Sequence, residues 1–291
     1  MKIVNILGGL GNQMFEYAMY LALKDAHPEE DIKVCTRSFS GYGLHNGLEI
    51  QRIFGVELPE ASLWELCKMA YPFFNYKTYQ IMFHWLPKRK SMTQGTTQDF
   101  FNFDEVTREG SAYYDGYWQN EKFFKHIREK MLQSYSFPNF HDKKNEQLAG
   151  KLIGENTVSI HIRRGDYLKE PIWCVCTPEY YFNGIDYLKK KEKIELLCVF
   201  SDDIPWCKEN LKGLTADIEV EYVDWNKGEQ SFRDMQLMTY CKHNIIANSS
   251  FSWWGAWLGQ RDGKIVIAPK VWCNKPIVND PICEGWVRIK V

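Results

Sequence analysis

No Asp-x-Asp occurs in this sequence, so the usual acidic clamp for a metal–nucleotide complex is missing. A Walker lysine motif, His-Glu-x-x-His and Gly-x-Ser-x-Gly are absent too. That removes the recognised machinery for P-loop phosphate binding, zincin hydrolysis and serine-hydrolase chemistry. The 9 cysteines are an odd number without framework spacing, and Cys174 and Cys176 are too close for a Cys-x-x-Cys redox pair. No paired Cys-x-x-Cys zinc pattern exists either. The cysteines read as reduced core residues of a cytosolic protein. No run of about 18 apolar residues occurs. The start, Met1 to Leu7, is too short and too soon broken by glycine for a signal peptide. A formal net charge of -1 gives no general attraction to nucleic acid or anionic membrane.

What is present is apolar and aromatic. Apolar residues make up 45% of the 291, enough for one large α/β domain or two modest ones. The 11 Trp and 16 Tyr suit stacking on sugars and suit an ordinary core. Lys2 to Leu7 reads as a buried strand, Gly8-Gly9-Leu10-Gly11 as a tight turn, and Asn12 onward as a helix with Met14, Ala18, Leu21 and Ala22 on one face. A strand near Ile32 to Cys35 completes a βαβ opening, which favours a parallel sheet. The middle, Ile50 to Phe137, yields few elements. Met69 to Leu86 is aromatic but interrupted by Asn75, Lys77 and Gln80; it reads as a buried helix, with a patch resting on lipid as the alternative. The charged run His141 to Glu146 suggests a boundary, giving domains 1–145 and 146–291.

The second half is more rhythmic. Thr157 to Ile162 alternates, with Val158, Ile160 and Ile162 opposite Ser159 and His161. Thr177-Pro178-Glu179 starts a helix. Strands are expected at Glu195 to Phe200, Glu219 to Val223, Asn244 to Ala247 and Lys264 to Ala268, with a short helix at Pro205 to Leu211. Ser231-Phe232-Arg233-Asp234 reads as a capping box opening a helix to about Lys242. In open α/β sheets, ligands bind beyond the carboxyl ends of the strands. The unusual residues fall there.

Four constellations stand out. Gly8-Gly9-Leu10-Gly11-Asn12-Gln13-Met14 fails as a dinucleotide fingerprint, because Met14 replaces the third glycine and no acidic residue ends the second strand. It still lets backbone approach a ligand at Gly9 and Gly11, or is simply a turn with Asn12 as cap. His161-Ile162-Arg163-Arg164-Gly165-Asp166-Tyr167 places two arginines at a strand end, where they are costly unless they meet anions. A guanidinium holds phosphate oxygens in a fork and keeps its charge. The bland alternative is Asp166 neutralising Arg164. Phe200-Ser201-Asp202-Asp203 could accept from ribose hydroxyls, hold a metal, or cap the next helix. Asn248-Ser249-Ser250-Phe251 lies between a strand and a helix, where hydroxyls and free N–H groups form an anion site; N-capping by Ser250 or Ser252 is the alternative. Trp253, Trp254 and Trp257 are expected in the core.

These pieces, with Gly116-Tyr117-Trp118-Gln119, occur in the order found in glycosyltransferase family 11, the α-1,2-fucosyltransferases of bacteria and animals, which the sequence resembles over nearly its whole length. His-x-Arg-Arg-Gly-Asp-Tyr with Asn-Ser-Ser-Phe-Ser-Trp-Trp-Gly-Ala-Trp carries most of the specificity. The resemblance implies a GT-B-like α/β fold of two Rossmann-like domains facing a cleft, acceptor side first and donor side second. It implies inverting, metal-independent transfer from GDP-β-L-fucose, with no cofactor, to the 2-hydroxyl of a terminal galactose on a glycan. A different nucleotide sugar or fucosyl linkage is the alternative. The α-1,6- and protein O-fucosyltransferases share His-x-Arg-Arg more distantly. By similarity to that wider group, Arg163 would hold the β-phosphate and Ser249, Ser250 and Phe251 would contact phosphate. Asp234 would pair with the guanine edge, and His161 would lie beside the base. Arg164, Ser201, Asp202, Asp203 and Asn248 complete the expected donor set. Asn12 would lie near the reacting centre, and Tyr117, Trp118 and Gln119 on the acceptor side. Asp115 and Asp166 are the candidate bases. Trp173-Cys174-Val175-Cys176 matches no family pattern and is assigned to the acceptor side. The expected location is cytoplasmic, with peripheral contact to an inner membrane left open.

Overall fold

The computed structural model of the chain describes residues 1–95, 106, 110–154, 156–173, 176–214, 218–275 and 280–291. The chain forms two compact units, Met1–Pro138 with Ile277–Pro281, and Asn139–Pro276 with Ile282–Val291. The division falls at Pro138 rather than at 145, because Lys143–Gly154 is a single helix whose Leu148, Ala149 and Leu152 pack into the second unit's core. Among the described residues, no helix is long and apolar enough to cross a membrane.

In the first unit, strands β1 (Lys2–Asn5), β2 (Ile32–Cys35), β3 (Met92–Gly95) and β4 (Ala112–Gly116) form a parallel sheet in the order β2-β1-β4-β3. The expected face of the first helix, α1 (Leu10–Ala26), is buried at Met14, Ala18, Leu21 and Ala22. The helix begins two residues earlier than the sequence suggests. Gly9 occupies the cap position, so Asn12 is not the cap. Gln13 does the anchoring. Its amide donates to the carbonyls of Gly8 and Gly47, both at 2.8 Å, and accepts from the N–H groups of Glu49 at 2.8 Å and Ile50 at 3.1 Å. One buried side chain therefore fixes the glycine turn and the segment that starts α2 (Ile50–Phe54).

The aromatic stretch from Met69 to Leu86 is not a buried helix. Helix α3 (Leu63–Met69) ends before it, and α4 (Tyr76–Trp85) has no fully buried residue. Asn75, which interrupts the apolar run, is the physical reason for the break. It accepts from the Thr78 N–H at 3.0 Å while the Thr78 hydroxyl accepts from its own N–H at 3.1 Å, a reciprocal cap.

In the second unit, β5 (Thr157–Ile162), β6 (Leu196–Ser201), β7 (Glu219–Val223), β8 (His243–Ile245), β9 (Val266–Pro269) and β10 (Val287–Ile289) form a parallel sheet ordered β10-β9-β8-β5-β6-β7. This is the doubly wound order, two halves running outward from β5 and β8. Both faces are covered. Val158, Ile160 and Ile162 pack on one side, with Tyr180, Tyr181 and Ile185 of the helix Pro178–Lys189. Thr177 caps that helix through the Tyr180 N–H, as its sequence predicts. Leu196, Cys198 and Phe200 face the other side, against Leu237 and Met238 of the helix Phe232–Tyr240.

Replacing Gln13 with alanine leaves four backbone groups, three of them in buried bonds, without their partner. The expected loss is about 2–4 kcal/mol. Urea unfolding of the two proteins, followed by first-unit signals, measures it.

Candidate active site

In the doubly wound sheet the outward runs part between β5 and β8, and ligands of such sheets bind outside the carboxyl ends at that parting. The segments leaving those two strands are Arg163 to Tyr167 and Asn248 to Ser250. The Tyr167 hydroxyl donates to the Asn248 carbonyl at 2.9 Å and ties the two turns together. Its ring stacks on Trp173, centroids 4.9 Å apart.

Asp202, just past the end of β6, organises the first turn. It accepts the backbone N–H groups of Arg164 at 3.0 Å and Gly165 at 3.2 Å. A Cβ at residue 165 would stand 3.0 Å from an Asp202 carboxylate oxygen, which explains the glycine. The same carboxylate lies 3.2 Å from Arg163 Nη1, and Asp166 lies 2.8 Å from Arg163 Nη2. Arg163 is therefore aimed by two carboxylates, and three of its five N–H groups are left by these pairs. Burial works against its charge, but Asp166 and Asp202 outweigh that and hold it firmly protonated.

Arg164 turns elsewhere. It meets Asp203 at 3.3 Å and lies 3.8 Å above the Trp206 ring. Asp203 also caps the helix Ile204–Asn210 through the Trp206 N–H at 3.2 Å, and its own N–H donates to Ser201 Oγ at 2.9 Å. Asp166 thus pairs with Arg163 and not with Arg164, because adjacent residues project differently and the i,i+3 turn returns Asp166 to Arg163.

At the second turn, Ser249 takes the cap position of the helix Ser250–Leu258 in extended backbone and makes no side-chain cap bond. Ser252 donates to the Ser249 carbonyl at 3.3 Å instead of capping. Trp253, Trp254 and Trp257 are buried and pack on one another, so this helix end is held rigidly. The Asn248 amide donates to the Trp272 carbonyl at 2.8 Å, which makes its side chain a pin for the turn. A helix N-terminus of this kind favours an anion.

Two side chains beside the turns look built for a ligand. His161 is 6% exposed, and its Nδ1 is buried without a hydrogen-bond partner. Burial, helped by Arg163, pushes its pKa down to about 3, so the ring is neutral. Its ring centroid lies 5.8 Å from that of Phe251. An unpaired buried nitrogen is rare and calls for a partner. Asp234 is the other. The expected capping box does not form: Ser231 has helical backbone angles and makes no side-chain cap bond. Asp234 accepts from Asn226 Nδ2 at 2.8 Å, and Asn226 Oδ1 accepts from Asn145 at 2.8 Å. Burial pushes the Asp234 pKa up to about 7. Sequence reading missed Asn226 and Asn145; the second sits in the charged run that reads as a domain boundary.

The first unit carries the remaining candidates, at the adjacent ends of β1 and β4. Gly8 has φ +91°, and a Cβ there would meet Asn12 Nδ2 at 3.0 Å. Asn12 accepts from Gln119 Nε2 at 2.8 Å, joining the two strand ends. Gly9 packs against the His45 ring, and Gly11 is the second residue of α1. The Tyr117 ring lies beside Gly8 and is half-exposed. Trp118 is buried edge-on against Tyr114 and Phe123, so it supports the turn and offers no stacking face. Asp115 accepts from Asn5 at 3.0 Å and from the Tyr79 hydroxyl at 3.0 Å. Burial raises its pKa, and the buried Glu16 nearby is raised well above the usual range. His45, Glu16 and Tyr79 carried no sequence signal of a site. Cys174 and Val175 lie outside the described residues. Among the described residues, no three His, Cys, Asp or Glu side chains gather as a metal ion would need.

Two parallel α/β units, the second with an arginine and a helix end at its parting point, have the architecture of the GT-B fold. The comparisons agree. The profile described as "Glycosyl transferase family 11" matches residues 69–290. An α-1,2-colitosyltransferase of Escherichia coli is 34% identical, over 99% of this chain and 98% of its own. Galactoside α-(1,2)-fucosyltransferase 2 of Gorilla gorilla gorilla is 26% identical, over 89% of this chain and 69% of its own. Among solved structures, NodZ α-1,6-fucosyltransferase soaked with GDP-fucose aligns with a TM-score of 0.53 at 15% identity, covering 88% of this chain and 91% of that one. The chain belongs to glycosyltransferase family 11.

The raised Asp234 pKa has a sign that can be checked. The folded state holds this proton up to about pH 7, whereas an unfolded chain releases it near 3.9. Stability from this group is full below pH 4 and lost as pH rises through 7. Asp234→Asn should therefore melt higher than the parent at pH 8, with the gain gone by pH 4. Thermal denaturation across pH tests this.

Proposed function

We propose that this chain transfers L-fucose from GDP-β-L-fucose to the 2-hydroxyl of a terminal galactose, with inversion and without a metal. The observation that carries the reading is Arg163, aimed by Asp166 and Asp202 beside the N-terminus of the helix Ser250–Leu258, in a member of family 11. Supporting it, relatives carry α-1,2-fucosyl and α-1,2-colitosyl activities in their names. In this reading the second unit takes the donor and the first the acceptor.

The mechanism follows from charge. As the bond to the anomeric carbon breaks, negative charge grows on the diphosphate. A guanidinium already oriented stabilises that charge without reorganising. Ser249, Ser250 and the helix end add donors that need no cation. Asp234, when ionised, accepts from the N–H edge of guanine, while neutral His161 lies beside the base. The acceptor hydroxyl attacks the opposite face of the sugar. Of the two candidate bases, Asp115 suits the role better. Burial raises its affinity for a proton, whereas Asp166 is engaged by Arg163. Tyr117 and Gln119 border the acceptor side.

A second donor has a specific observation in its favour: the 34% identical relative is named a colitosyltransferase. Colitose is fucose without its 3-hydroxyl, so one pocket could take either.

Arg163→Ala should lower turnover by about 10²–10³-fold, and Arg163→Lys should recover little because the fork is lost. Near-normal turnover in the lysine variant would remove the bidentate role. GDP binding should weaken about tenfold for each pH unit below 7, as Asp234 gains its proton, and stay level above; calorimetry at several pH values measures this, and Asp234→Asn should flatten the curve. Transfer should persist in excess EDTA. The deciding assay offers GDP-fucose, GDP-colitose and UDP-sugars with galactose-ended oligosaccharides, and reads the linkage by NMR. Turnover with UDP-sugars alone would overturn the proposal, and glycan binding without GDP binding would make the chain a binding module.

A further inference from the structure

The first unit exposes an apolar surface formed by none of the candidate site residues. Trp64 is 80% exposed and Trp85 77%, and Phe74, Ile81 and Leu86 are also open to solvent. Both α3 and the segment around α4 contribute to one core cluster on the sheet: Leu66, Met69, Ala70 and Phe73 are buried in it, and Tyr79 and Phe83 pack against it. The opposite faces of the helices therefore point away from the same sheet. On α4 that outer face carries Lys77, Gln80, Ile81, His84 and Trp85. Arg89 donates to the Cys67 carbonyl at 2.6 Å, and the Tyr71 hydroxyl donates to the Pro87 carbonyl at 2.6 Å. These bonds hold the strap after α4 against the end of α3.

The stretch of chain that forms this surface is basic. Between 61 and 95 the chain has Lys68, Lys77, Lys88, Arg89 and Lys90 against Glu65 alone. Glu65 is already paired with Lys33. The protein as a whole carries a net charge of -1, so the basic excess is local. Arg89 stacks on Tyr71, centroid 4.5 Å away, while Lys68, Lys77, Lys88 and Lys90 are exposed. Exposed tryptophans set among lysines match the interface of an anionic bilayer. Indole rings favour the headgroup level, and lysines near it are drawn to acidic lipid. A protein partner with an apolar face would need no such cationic fringe.

We propose that the face formed by Trp64, Phe74, Ile81 and Trp85, with Lys68, Lys77, Lys88 and Lys90, rests on an anionic lipid surface. An enzyme held there would meet glycan acceptors that are themselves anchored in lipid. The contact requires neither donor nor acceptor, so its test is separate from that of the transfer reaction.

The full chain is sedimented with vesicles of phosphatidylcholine alone and of equal parts phosphatidylcholine and phosphatidylglycerol, at about 0.1 M salt so that screening is moderate. It should bind the mixed vesicles and leave the neutral ones largely free. Trp64→Ser with Trp85→Ser, and Lys68→Glu with Lys90→Glu, should each weaken that binding by about tenfold or more. GDP binding and transfer to a free oligosaccharide should stay at the parent level in both variants, which shows that they fold. Absence of binding to the mixed vesicles, or equal binding by parent and both variants, overturns the proposal. A concentration-dependent dimer that the tryptophan variants abolish also overturns it and gives the face to a second copy of the chain.

Discussion

The candidate active site depends on one carboxylate, Asp202. It holds the backbone of Arg164 and Gly165 and at the same time meets the Arg163 guanidinium. Without it, the turn after β5 would have two unpaired N–H groups and an arginine free to swing. With Asp166 completing the pair, a flexible side chain becomes an oriented fork. Orientation in advance of the reaction is what makes a guanidinium effective against growing negative charge. The same turn is locked to the one after β8 by Tyr167, and that turn to the core by Asn248 and three buried tryptophans. Candidate donor groups from the turns after two strands are thus fixed relative to each other by ordinary packing.

The first unit solves a related problem with different chemistry. A single neutral amide, Gln13, joins four backbone groups and sets the glycine turn. Asn12 and Gln119 then bridge the ends of β1 and β4. Around them, Asp115 and Glu16 are kept in surroundings that disfavour their charge. Such a setting suits a group that takes a proton during reaction better than one that holds a cation. On the outer faces of α3 and α4 the same unit turns apolar and basic, while Tyr79 of α4 reaches inward to Asp115.

Much of this was legible in the sequence. The alternation of Val158, Ile160 and Ile162 placed β5, and the structure sets Arg163 and Arg164 just past its end, as the sequence suggested. The buried face of α1 followed from the spacing of Met14, Ala18, Leu21 and Ala22. Other features were hidden for physical reasons. Asn12 reads as a cap because its type favours caps, yet Gly9 takes that position and frees Asn12 for Gln119. Ser231 to Asp234 has the letters of a capping box, but a tertiary partner, Asn226, claims Asp234 first. The aromatic stretch after Met69 looks like core by composition, while its exposure depends on which helix face the sheet covers.

The sequence by itself determined the elements, the parallel sheets they favour, and the chemistry available at the strand ends. These follow from local periodicity, backbone preference and residue type, which act between near neighbours. Only the tertiary structure decided which arginine is aimed and which is framework, that Asp234 is buried enough to titrate near neutrality, and that Trp64 and Trp85 face outward. Those outcomes depend on contacts between residues far apart in the chain, such as Arg163 with Asp202, and local pattern carries no record of them.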